Sequence, residues 1–141
     1  GGNIYYNTVT GAIVDADDSV TVANIPTKIN GTTITAIAPR AFRHNDWWGE
    51  NTKLTSISIP NTVTYIGDEA FYNCSALASL HLGNGVTTIG KEAFYNCRSL
   101  VNLTIPGTLR DRLEKYCEDD ERSKSWAVQK ALDKWLAERG Y

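Results

Sequence analysis

The sequence predicts an α+β fold: a short solenoid of stacked coils, opened by a β cap and closed by a helical hairpin. Three observations carry that reading. Segments 54–76 and 77–99 repeat one another with a period of 23 residues. Within each copy the apolar positions alternate as they do along strands. Past Pro106 the composition turns charged and the apolar spacing becomes helical. Residues 1–106 are expected to form the capped solenoid, and 107–141 a hairpin that shares strand 101–105 with it.

The chain has 141 residues, 42% apolar and 21% charged, enough to bury a core and too apolar for a disordered chain. Lys and Arg number 14 against 16 for Asp and Glu, a net charge of −2. That balance removes the usual electrostatic case for nucleic-acid binding by the whole chain. No apolar run approaches the roughly 18 residues of a membrane span. Beginning Gly-Gly and holding no Met, the chain reads as a mature form or fragment separated from its targeting signals.

In residues 1–24, Ile4, Tyr6, Ile13, Val20 and Val22 are arranged around the turn at Thr10-Gly11, which predicts a hairpin-like cap. A stretched coil follows. Ile25-Pro26 matches Ile59-Pro60, Ile34 and Ile37 match Val63 and Ile66, and Ala41-Phe42 matches Ala70-Phe71. Two insertions lengthen this coil, at 28–32 and at roughly 44–53, the second holding Trp47 and Trp48.

The clean copies are LTSISIPNTVTYIGDEAFYNCSA and LASLHLGNGVTTIGKEAFYNCRS. Leu54, Ile57 and Ile59 recur as Leu77, Leu80 and Leu82, then as Leu100, Leu103 and Ile105. Their spacing turns them to one side of a short strand. Val63 and Ile66, then Val86 and Ile89, form a second strand on the opposite wall. Gly67 and Gly90 are expected to end it at positive φ. Phe42, Phe71 and Phe94 should share one interior column, since a single coil cannot cover its own apolar face. Cys74 and Cys97 fall in identical Ala-Phe-Tyr-Asn-Cys contexts. They should stack as small apolar residues, a disulfide being conceivable but not required.

These residues resemble the BspA-type leucine-rich repeats, whose units look like "IP..V..IG..AF..C..L..L.IP"; the match spans about residues 20–106. The resemblance implies a right-handed solenoid serving as a binding scaffold. Such repeats are common in bacterial surface proteins and are not known for catalysis, so an extracellular or cell-surface location is expected.

In 107–141 eight basic and eight acidic residues accumulate. Thr108 can cap a helix holding Leu109, Leu113, Tyr116 and Cys117. After the polar turn at 118–124, Ser123 or Ser125 can cap a second helix. Its stripe is Val128, Ala131, Leu132, Trp135 and Leu136, and Gly140 ends it. Together with the strand before it, this segment resembles a ribbon-helix-helix unit of the Arc type over residues 101–140. The resemblance implies antiparallel pairing of the strand with its mate in a second chain, and it carries an alternative function, a DNA-binding transcriptional regulator in the cytoplasm. The outward strand positions would then be Leu100, Asn102 and Thr104, which supply no Arg or Lys, and Arg122, Ser123 and Lys124 would face phosphate. The hairpin's balanced charge disfavours that alternative. A homodimer through 101–140 is expected, because the last strand of a solenoid leaves an edge to be covered.

The candidate binding residues are Trp47 and Trp48, aromatics on a polar insertion, together with Ser56, Ser58, Ser79, His81, Asn102 and Thr104 on the outward strand positions. His81 beside Ser58 resembles a base and nucleophile only superficially, because no Asp or Glu on these strands could orient the imidazole. His44 reads as a turn residue, and acidic run 15–18 lacks the glycine and distal glutamate of a calcium loop. Gly83-Asn84-Gly85 has no Lys-Ser/Thr after it, as a phosphate loop requires. No catalytic residue, cofactor or metal ligand is assigned. The expectation is a non-enzymatic protein-interaction or adhesion module with a protein ligand.

Overall fold

The structure, a computed structural model, describes residues 2–43, 49 and 51–104. Among them the chain is all β, with strands β1 (Ile4–Tyr6), β2 (Ala12–Ala16), β3 (Val22–Asn24), β4 (Lys28–Ile29), β5 (Thr32–Thr33) and β6 (Ala36–Ile37). These are followed by β7 (Ser56–Ile59), β8 (Tyr65–Ile66), β9 (Ser79–Leu82), β10 (Thr88–Ile89) and β11 (Asn102–Thr104). The helical hairpin expected over 107–141 lies outside the described residues.

Two sheets form the walls of the solenoid. One has strand order β1-β2-β6-β8-β10, the other β11-β9-β7-β3. Coil stacks on coil through parallel, in-register pairing. Ile57 lies opposite Ala23 and Leu80, and Leu80 opposite Leu103. On the other wall Ile66 lies between Ile37 and Ile89. Period-two alternation then turns Ile57, Ile59, Leu80 and Leu82 inward, and each is buried, as are Leu54, Leu77 and Leu100 just before the strands. Phe42, Phe71 and Phe94 are buried in one column, with ring centroids 5.0 and 5.1 Å apart and planes within 9° and 5° of parallel. Threonines tie the second wall together: the hydroxyls of Thr35, Thr64 and Thr87 donate to the carbonyls of Thr10, Thr35 and Thr64 in the coil before.

The cap departs from expectation at one residue. β1 and β2 form the antiparallel hairpin around Gly11, whose φ is 71°. Val22, however, points outward and is 55% exposed, while Ala23 takes the interior place. The register explains this, since Val22 lies opposite Ser56 and Ala23 opposite Ile57. Insertion 28–32 is itself a hairpin, β4 paired with β5 across Asn30-Gly31, which have φ of 49° and 83°. Those angles match the two-residue turn that Asn-Gly favours between antiparallel strands.

The glycine expectation also needs correction. Neither Gly67 nor Gly90 has positive φ. Space is what excludes a side chain there: a Cβ on Gly67 would run into the main chain of Pro39, and one on Gly90 into that of Asp68. The left-handed conformation falls instead on Arg40, Glu69 and Glu92, and on Asn73 and Asn96, each set at one recurring place.

Candidate functional site

The outward face of the four-stranded sheet brings together six of the eight residues singled out from the sequence. Ser56, Ser79 and Asn102 form one column in register with Val22. Ser58, His81 and Thr104 form the next, in register with Asn24. The serines are half-buried, and His81, Asn102 and Thr104 are exposed. Neighbouring strands lie about 4.8 Å apart, so the face repeats donors and acceptors at that interval. The Asn102 amide donates to the Ser79 hydroxyl at 3.3 Å.

Neither column contains an acidic or a basic residue other than His81. Nothing on the face orients the imidazole as a base, so what these side chains offer is hydrogen bonding to a docked surface. Val22 and Asn24 belong to the same face and were missed from the sequence. The match of Ile25-Pro26 to Ile59-Pro60 carried the signal, because it sets Asn24 beside Ser58. Trp47, Trp48 and His44 lie outside the described residues.

The ribbon-helix-helix reading puts Leu100 outward with Asn102 and Thr104. Leu100 is instead fully buried, because it repeats Leu54 and Leu77 in the turn before the strand, where strand alternation does not yet apply. The strand portion 102–104 pairs parallel with β9 as a further solenoid rung. The rest of that unit lies outside the described residues.

Charge gathers elsewhere, on the turns that carry the phenylalanines. Glu69 accepts hydrogen bonds from Arg40, at 3.2 Å, and from Arg43. The Arg43 guanidinium lies 4.7 Å from the centre of the Tyr72 ring, and Tyr72 stacks on Tyr95 at 5.0 Å. The Asn96 amide donates to the Asn73 side chain at 3.2 Å. This ridge also escaped the sequence reading, although Tyr72 and Tyr95 sit in the repeated Ala-Phe-Tyr-Asn-Cys segment.

Cys74 and Cys97 are free thiols, buried as expected. Their S–H groups donate to the carbonyls of Phe42 and Phe71. Burial raises both pKa values, that of Cys97 to about 12. The buried Asn51 stands at the cysteine's place in the preceding coil, three residues before Leu54. Its amide donates to the Phe42 carbonyl, and its side-chain oxygen accepts from the amides of Lys53 and Leu54.

The acidic run is engaged internally. Asp17 accepts from the Tyr5 hydroxyl and the Asn3 amide, and Asp15 from the Ala16 amide. Among the described residues no group of His, Cys, Asp or Glu has the makings of a metal site. No helix there is long and apolar enough to cross a membrane.

The family model described as the BspA type leucine rich repeat region matches residues 35–132. Three solved structures are similar. The leucine rich repeat protein of T. pallidum is 25% identical with a TM-score of 0.60, the match covering 74% of this chain and 47% of that one. A leucine-rich repeat protein of Bacteroides capillosus is 29% identical with a TM-score of 0.58, covering 76% and 78%. A leucine rich cell surface protein of Faecalibacterium prausnitzii is 26% identical with a TM-score of 0.53, covering 72% and 28%. The chain thus spans about half the length of the T. pallidum protein and less than a third of the F. prausnitzii one. No curated protein matches it.

Proposed function

Because the chain belongs to the BspA-type leucine-rich repeat family, we propose that it is a non-enzymatic protein-interaction or adhesion module whose ligand docks on the four-stranded sheet. The observation that carries this is the pair of outward columns, Val22, Ser56, Ser79, Asn102 and Asn24, Ser58, His81, Thr104. Apart from the apolar Val22, they give a regular surface of short hydrogen-bonding side chains on a rigid support. Such a surface is prepared for a partner without the ordering that long charged side chains require. The ligand is a protein. The module works outside the cell or on its surface, a location supported by the similar F. prausnitzii surface protein, and it assembles as a homodimer through its C-terminal strand.

Panning a displayed peptide library against the protein tests the docking face. Selected binders should lose at least tenfold in affinity for Ser58→Glu and Ser79→Glu, about 1.4 kcal/mol or more. They should bind Thr88→Glu, on the other sheet, as they bind wild type. Binders indifferent to both serine changes would remove the reading.

A further inference from the structure

His81 is the one residue of the two outward columns that can change its charge. It lies on β9, an interior strand of the four-stranded sheet, and its side chain is exposed. The flanking strands set Ser58 on one side of it and Thr104 on the other, and Ser79 precedes it on the same face of β9. Its surroundings are uniform in kind. β7 contributes Ser56 and Ser58 to the face and β11 contributes Asn102 and Thr104, none of which titrates or carries a charge. The charged residues that come just before these strands in sequence are Lys53 and Arg98, in the turns leading into β7 and β11. Neither belongs to a column.

A face of neutral hydroxyls and amides selects a neutral partner. A carboxylate brought against it at neutral pH would give up its water and find no cation in exchange. Imidazole, unlike the side chains around it, takes up a proton in the mildly acidic range. The face then holds one positive charge, and a seated partner buries that charge against the hydroxyls of Ser58 and Thr104 and its own uncharged groups. We propose that His81 makes docking on this sheet sensitive to pH: the face takes an uncharged polar protein surface at neutral pH and releases it on mild acidification. The inference rests on the docking face proposed above and supplies its partner chemistry and its regulation. Docking favours the uncharged imidazole. By linkage, affinity is therefore full where His81 is neutral and falls as pH drops and protonation competes with the partner.

Acetylated peptide binders, selected at neutral pH from a library without histidine, test this on the full chain. Those that map to Ser58 and Ser79 should lose about tenfold in affinity between about pH 7.5 and about pH 5.5. His81→Gln, whatever its affinity at neutral pH, should bind them equally well at both pH values. His81→Lys, charged throughout, should bind more weakly than wild type at neutral pH and show no further fall. His44→Gln should keep the fall seen in wild type. A flat profile in wild type, tighter binding in acid, or an equal fall in His81→Gln overturns the proposal, and the map to Ser58 and Ser79 then leaves the docking face standing. Binders indifferent to Ser58→Glu and Ser79→Glu remove the docking face and this inference with it.

Discussion

Cys74 and Cys97 show how much a single position depends on the coil below it. Each thiol is enclosed by its neighbours and donates a hydrogen bond to a phenylalanine carbonyl one coil earlier. The folded state therefore holds both thiols neutral, with Cys97 raised to about 12, while in the unfolded chain a thiol ionises near 8.5. Below that pH the two states bind equal numbers of thiol protons and stability is unaffected. As pH rises further, the unfolded state loses protons that the folded state keeps, and each thiol weakens the fold by about 1.4 kcal/mol per pH unit. Denaturant titration of wild type against Cys97→Ala should show this: wild type loses more stability between neutral and strongly alkaline pH. Equal losses would mean that the thiol ionises as easily folded as unfolded. In native protein at neutral pH both thiols should resist an aromatic disulfide reagent, and both should react once the chain is unfolded. The sequence foretold the stacked thiols, because the pentapeptide recurs intact. The role of Asn51 was harder to see, because a different residue type fills the same place.

At the scale of the element, the strands were legible and the turns only partly so. Period-two spacing identifies inward positions because a strand has two faces and burial marks one of them. A glycine in the sequence carries no such label. Gly67 and Gly90 are required by the nearness of the preceding coil, whereas the backbone strain falls on Glu69 and Glu92 two residues later. Gly90→Ala should accordingly destabilise by about 1–3 kcal/mol, as overpacking does. Glu92→Gly should raise stability by up to about 1 kcal/mol, since it relieves a left-handed non-glycine residue. Thermal melts of the two variants should therefore move in opposite directions; a fall with Glu92→Gly would show that its side chain compensates for the strain. The hairpin at Asn30-Gly31 was present as a turn signal, but an insertion has no counterpart in the other coils to fix its register. The columns of the docking face came from the same alternation that located the core, which is why six of its residues were legible. The stacked tyrosines followed the same period, but their contact with Arg43 depends on Glu69 holding the guanidinium, and no spacing rule conveys that.

Across the whole molecule, the repeated sequence acts as a one-dimensional lattice in which each coil is secured chiefly by its two neighbours. That is why a 23-residue period was enough to set the architecture, while the departures from expectation are local: Val22 in the cap, the backbone angles of Gly67 and Gly90, and the inward side chain of Leu100. The inter-strand hydrogen bonds of both walls run along the stacking direction, coil to coil. A tether pulled from one end would load those bonds head-on, and the coils would peel away one after another without sliding past each other. Single-molecule extension should then show a sawtooth with increments of about 80 Å, the stretched length of one repeat at roughly 3.5 Å per residue. An adhesive strap built this way would yield by graded lengthening and absorb a sudden tug without releasing its grip at once.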